Sequence, residues 1–297
     1  MLEPAETSYF SKPAAGLDPR LFKNGKLNST VRSAVLQLLF NHLDRSYMGG
    51  SSWSTVWIAG SGVSYQWAAH RDPGDLDCLI GIDYPRFRES NSQFRGLTDR
   101  EIASMLNEGF REKLHPITKE FMGSFELTFY VNVRSNILDI KPYAAYSLTD
   151  DDWTVTPEPT ELEANPAWES AVENDRLLAI DVLSKFISAK NKYQQATNEA
   201  VKANARSEMR IAVSQGVALY DSIHSARSEA FSPSGEGYLD FANYRWQYGK
   251  KSGVVQSLRS LKEEMDAEDE AFQKKTYGVD LPDANTLIRR AATRRQY

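Results

Sequence analysis

Cysteine is nearly absent from this sequence: among 297 residues there is one, Cys78. That excludes an intramolecular disulfide framework and any cysteine-rich zinc site. Histidine is scarce as well. His42, His70, His115 and His224 are scattered without zinc-ligand spacing, so transition-metal chemistry is not expected. No run approaches the roughly eighteen apolar residues a membrane helix needs. Met1 to Ser11 carries acids where a signal peptide carries bases. A cytoplasmic protein with no membrane partner is therefore expected. An excess of positive charge is lacking too, since the net charge is −5. This argues against a broad surface coating nucleic acid. Basic residues do cluster locally at Arg289, Arg290, Arg294 and Arg295, which read either as a solvated helix end or as a local nucleic-acid contact.

What is present is the composition of a globular protein, with 41% apolar and 25% charged residues. The length suits one large domain or two modest ones. Residues 1–27 hold prolines and glycines without a sustained period and read as an N-terminal arm. Val31, Val35, Leu38, Leu39 and Leu43 then recur at helical spacing, with Ser29 or Thr30 placed to cap the start. Two apolar strands follow, Thr55 to Ala59 and Cys78 to Ile82. Thr98 and Glu101 form a candidate capping box for a helix carrying Ile102, Met105, Leu106 and Phe110 on one face. Phe125 to Val133 and Ile137 to Ala144 read as a hairpin around Arg134-Ser135-Asn136. Asp150 to Pro166 reads as a linker, and helical periodicity dominates from Trp168 onward. The expected organisation is an arm over 1–27, an α/β domain over 28–150 and a helical domain over 167–297.

The chemistry is concentrated between residues 58 and 80. Ile58-Ala59-Gly60-Ser61 is followed by thirteen residues, 62–74, and then by Asp75-Leu76-Asp77-Cys78-Leu79-Ile80. Carboxylates at i and i+2 on an extended chain point to one side, so both reach one metal cluster while Leu76 turns into the core. Mg²⁺ takes oxygen ligands and is commonly held by one or two carboxylates together with substrate phosphates. Glycine at the preceding turn lets backbone approach a phosphate, and the serine hydroxyl and N–H groups at a helix start bind anions. Alone, an Asp-x-Asp is usually a turn or a solvated strand end, and a Gly-Ser pair is usually a plain turn. Their pairing is what carries the reading.

These residues resemble the signature of the DNA polymerase beta-like nucleotidyltransferase superfamily, which is an apolar residue, Gly, Gly or Ser, a gap, then acid-x-acid on a strand. Gly60, Ser61, Asp75 and Asp77 fill it without a mismatch. The resemblance covers about the first 150 residues. It implies an α+β fold, a mixed sheet with flanking helices, followed here by a C-terminal helical domain. It also implies a transferase that moves a nucleoside monophosphate from an NTP, ATP foremost, to an acceptor hydroxyl with release of pyrophosphate. Two Mg²⁺ or Mn²⁺ ions would be bound by Asp75, Asp77 and a third acid on a neighbouring strand. Asp139, in Ile137-Leu138-Asp139-Ile140-Lys141-Pro142, resembles the corresponding strand of oligoadenylate synthases and related second-messenger synthases, and is the favoured third ligand. Glu126 is its rival.

Arg71, in the loop His70 to Gly74, is read as a phosphate contact or as a solvated residue. Asn243 to Lys251 is rich in aromatic and cationic groups. Through Tyr244 and Lys250 it can hold a base or the triphosphate, or it can be a helix packing Trp246 into a core. Cys78 is expected to be an inert core thiol. The acceptor stays open among a nucleotide, an RNA, a small molecule and a protein, as does the oligomeric state. Two other readings are a toxin or resistance-type transferase modifying tRNA or a small molecule, and a catalytically inactive nucleotide-binding sensor.

Overall fold

The structure is a computed structural model, and it describes residues 2, 13–67, 74–134, 136–159, 161, 165–232 and 234–278. His70, Arg71 and the C-terminal arginines lie outside the described residues. The protein is of mixed α+β class and divides into two compact units. One is Ser8–Glu163 with Phe231–Tyr238, and the other is Met1–Thr7 with Ala164–Ala230 and Leu239–Tyr297.

The first unit opens with strands β1 (Phe22–Lys23) and β2 (Lys26–Leu27), a hairpin turned by Asn24 and Gly25 at φ of 54° and 75°. Residues read as an irregular arm thus include a hairpin, and Asn-Gly is the dipeptide that such turns demand. Helix α1 (Ser29–Leu43) is capped by Asn28, one residue before the expected position, whose side chain accepts from the Thr30 N–H. The short helix α2 (Gly50–Trp53) leads into β3 (Ser54–Ala59). Beyond it come β4 (Gly74–Ile82), α3 (Tyr84–Ser90) and α4 (Asp99–Gly109), which carries the expected Thr98–Glu101 capping box. A π turn, Phe110–Leu114, joins α4 to α5 (His115–Thr118), and β5 (Phe125–Val131), β6 (Ala145–Ser147) and β7 (Asp152–Val155) complete the unit's elements.

The five-stranded sheet has the order β5-β4-β3-β6-β7, with β4 and β5 parallel and the other neighbours antiparallel. One face presents Val56, Ile58, Leu76, Cys78, Ile80, Leu127 and Phe129 to Val31, Val35 and Leu39 of α1 and to Ile102 and Leu106 of α4. This is the main core, and the periodicity of both helices follows from covering it. On the opposite face a smaller cluster joins Trp57, Ala59, Leu79 and Ala145 to Ile137.

Two expectations are corrected. The hairpin of Phe125–Val133 with Ile137–Ala144 does not form: β5 is an edge strand beside β4, and Ile137–Asp139 is a 3₁₀ turn. The Asn136 side chain accepts from the Leu138 N–H, a local bond that competes with strand pairing, and the Lys141 N–H donates to Phe231 O instead. The supposed linker contains β7, which is held because Trp153 stacks on Phe22 at 5.2 Å and donates its indole N–H to Gly25 O.

The second unit consists of α6 (Pro166–Gln195), α7 (Glu199–Ala230), α8 (Phe241–Lys251) and α9 (Val254–Tyr277). Val182, Phe186 and Ala189 of α6 pack with Met209 and Ala212 of α7 and with Leu261 and Met265 of α9. A Cβ on Gly216 would stand 2.9 Å from Leu261 and 3.3 Å from Val182, so the glycine is what lets these helices meet.

Candidate functional site

The burial of β4 changes along its length. From Cys78 to Ile82 every residue is buried, as in a strand covered on both faces. At its start the pattern alternates: Asp75 and Asp77 are half-buried on one face, and Leu76 between them is fully buried on the other. The two carboxylates therefore share a side of the sheet, as their spacing requires.

Neighbouring strands build around them. In the parallel register with β5, Asp75 stands opposite Glu126 and Asp77 opposite Thr128. In the antiparallel register with β3, Asp77 stands opposite Ala59. The chain leaves β3 through Gly60, whose φ of 89° favours glycine, and whose N–H donates to Ala144 O at 3.1 Å. A Cβ on Gly60 would lie 3.5 Å from Asp77 Oδ2, and one on Gly62 would lie 2.4 Å from the Asp75 carbonyl oxygen. The Gly60-Ser61-Gly62 turn thus rests directly on the acid-bearing end of β4. Only glycine at 62 allows that approach.

One part of the anticipated phosphate cradle is different. Ser61 begins a single 3₁₀ turn, Ser61–Val63, rather than a helix, and the Gly60 N–H is engaged within the sheet. A single 3₁₀ turn carries no helix macrodipole of consequence, and Ser61 at its start is half-buried.

The Thr128 hydroxyl donates to Asp77 Oδ1 at 3.0 Å, and His115 Nε2 lies 3.0 Å from Glu126 Oε1. Neither Thr128 nor His115 was singled out by sequence reasoning. The signal for Thr128 was there, because Glu126-x-Thr128 repeats on β5 the i, i+2 spacing of Asp75-x-Asp77. His115 had no local signal: α5 reaches Glu126 from eleven residues away in sequence.

Asp139 sits exposed on the 3₁₀ turn that Ile137 anchors, not on a strand beside β4. The neighbouring-strand position belongs to Glu126. Cys78 points to the main core, and burial first, then the Asp77 charge, pushes its thiol well above the usual range. Such a thiol is a poor nucleophile. Tyr244 and Lys250 belong to the helical unit. The Tyr244 ring is buried 5.4 Å from that of Trp168, and Lys250 is exposed at the end of α8.

Among the described residues, no three His, Cys, Asp or Glu side chains gather closely enough to hold a metal ion by themselves. The donors at the start of β4 are carboxylate oxygens, and Mg²⁺ characteristically completes its shell with water and substrate phosphates around one or two such groups. The donor chemistry of Asp75 and Asp77 fits that mode. Comparisons of the chain with family models, curated proteins and solved structures find no match. Among the described residues no helix is long and apolar enough to cross a membrane.

Proposed function

We propose that the protein is a metal-dependent nucleotidyltransferase with its catalytic centre at the start of β4. The observation that carries this reading is the shared face of Asp75 and Asp77, with the Gly60-Ser61-Gly62 turn seated against both. The two carboxylates stand half-buried at the head of a strand that is buried throughout from Cys78 to Ile82.

Asp75 and Asp77 would hold Mg²⁺, and Glu126, opposite Asp75 in register, would act beside them as a proton acceptor rather than as a third metal ligand. Magnesium, when bound, neutralises phosphate charge and lowers the pKa of a hydroxyl at the centre. The chain's own groups do the positioning. The Ser61 hydroxyl would donate to a phosphate oxygen, and the glycine backbone at 60 and 62 would let that phosphate approach the acids closely. Glu126, held by His115, is placed to accept the acceptor hydroxyl's proton. The reaction joins that oxygen to the α-phosphorus as the bond to pyrophosphate breaks, and its acceleration rests on orientation and charge placement.

The test is to incubate the full chain with Mg²⁺ and each α-labelled NTP, alone and with RNA or protein added. Pyrophosphate release and the destination of the label are then followed. Label in free oligonucleotides supports a second-messenger or oligonucleotide synthase; label on RNA or protein supports a modifying transferase. Asp77→Asn is expected to lower either activity by several kcal/mol of barrier, on the order of 10³-fold, without changing the melting temperature. Full turnover by Asp77→Asn removes the proposal, and tight NTP binding without turnover by the unaltered chain establishes a sensor instead.

A further inference from the structure

Strand β5 is an edge of the sheet, and an edge strand offers its outward N–H and C=O groups to any chain able to pair with them. Which groups face outward follows from the register. The Gly74 N–H donates to Ser124 O at 2.9 Å, so the backbone of residue 124 faces β4, and by alternation that of residues 125, 127, 129 and 131 faces away.

The chain's own segment from α4 to the turn after α5 takes three of those four positions. The Phe121 N–H donates to Phe125 O at 2.7 Å, and the Phe125 N–H donates to Phe121 O at 3.1 Å. The Thr118 hydroxyl donates to Leu127 O at 2.6 Å, although two helix carbonyls, those of Leu114 and His115, lie within reach at 3.2 and 3.3 Å. A helical threonine ordinarily bonds back to its own helix; the shortest bond of this one goes to the strand. Asn107 Oδ1 accepts the Val131 N–H at 2.6 Å, and Asn107 Nδ2 donates to Val131 O at 3.1 Å. A side-chain amide that accepts from and donates to one residue imitates the peptide groups of a pairing strand.

We infer that Asn107 and Thr118 guard this edge, occupying the pairing groups of β5 so that a second copy of the chain cannot add its own β5 there. The strand's sequence names that occupant. Phe125-Glu126-Leu127-Thr128-Phe129-Tyr130-Val131 is rich in aromatic and β-branched residues, with one charge and no proline or glycine, the composition of segments that pair with their own kind. The opposite edge is blunted by other means. Strand β7 is four residues long, exposes Asp152 and runs on to Pro157, so shortness, charge and proline all oppose pairing. Strand β5 is seven residues long, and its one carboxylate lies against His115, which leaves the protection to the side chains that cover its backbone.

The test compares the full unaltered chain with the double variant Asn107→Ala, Thr118→Val by sedimentation velocity from micromolar to millimolar concentration, the range in which exposed strand edges associate. Amide exchange at Val131 is followed in parallel. At the lowest concentration that amide is expected to exchange about tenfold faster in the variant, the net worth of one hydrogen bond. As concentration rises, the variant is expected to sediment as a dimer or larger species and to regain protection at Val131, while the sedimentation of the unaltered chain holds. Adding Tyr130→Lys, which sets like charges against each other across the new pair, should abolish the association. If the double variant does not fold, Asn107→Ala alone, at a half-buried position, reads the same edge at Val131. A folded variant that sediments as the unaltered chain does at every concentration overturns the inference. So does association that leaves Val131 unprotected or that persists with Tyr130→Lys.

Discussion

Two stretches of this sequence look equally chemical, and the structure treats them in opposite ways. Asn243–Lys251 offers aromatic rings and cations; Asp75–Asp77 offers carboxylates. In α8, Tyr244, Trp246 and Tyr248 are buried, and Trp246 packs with Ala179, Ile223, Val255 and Leu258 while lying 5.3 Å from the His224 ring. Packing accounts for those rings completely, because burying an aromatic side chain is favourable by itself. Asp75 and Asp77 differ, because taking a carboxylate partly out of water is costly and needs polar partners to offset it, as the Thr128 hydroxyl does for Asp77. Polar groups at the head of a buried strand therefore carry more functional information than apolar groups on a helix.

That contrast is sharpest if the helical stretch is a scaffold and the strand a site. Trp246→Ala should destabilise the chain by about 3–5 kcal/mol, as loss of a buried tryptophan usually does. Denaturant titration monitored by circular dichroism checks this, and a loss below about 1 kcal/mol would mean that the indole is held for something other than the core. The next effect separates two acids. Glu126→Gln should lower turnover by about 10²-fold, comparable to losing one well-placed catalytic group. Asp139→Asn, on an exposed turn, should leave both turnover and stability within about 0.5 kcal/mol. Kinetics of the two variants side by side decides the matter, and the reverse ranking would return the third-acid role to the 3₁₀ turn.

The ranking matters because it marks where local sequence stopped being informative. The shared face of Asp75 and Asp77 was legible from their spacing, and the turn at Gly60-Ser61 from its place after an apolar strand, although the helix expected after it is a 3₁₀ turn. Helices α1 and α4 were legible from period and caps. The Ile137–Asp139 turn was not, because its conformation depends on Ile137 packing against Trp57 and Leu79 and on Lys141 bonding to Phe231. Those are partners far along the chain. For the same reason β7 was hidden in an acidic stretch until Trp153 met Phe22. The β1–β2 hairpin is a different case, because Asn24-Gly25 announced it and only the shortness of the strands concealed it.

Tyr244 supplies the smallest and most specific test of the scaffold side of the comparison. Its phenol is pushed up to about 12, first by burial, then by the charges of Glu169 and Tyr248. The unfolded chain ionises this group near its ordinary value, about 10. A folded-state value above the unfolded one contributes stability that is fully present below the unfolded value. That stability is lost as the pH rises toward the folded value. Stability should thus decline between pH 10 and pH 12, and Tyr244→Phe should remove the part of the decline due to this phenol. The same variant should leave the KM for NTP unchanged near neutral pH, because a ring packed on Trp168 inside the helical unit is not a surface on which a base can stack. Equilibrium unfolding across that pH window, together with the KM, checks both halves. A raised KM with an unaltered alkaline profile would make Tyr244 a ligand contact and dissolve the distinction between the two stretches.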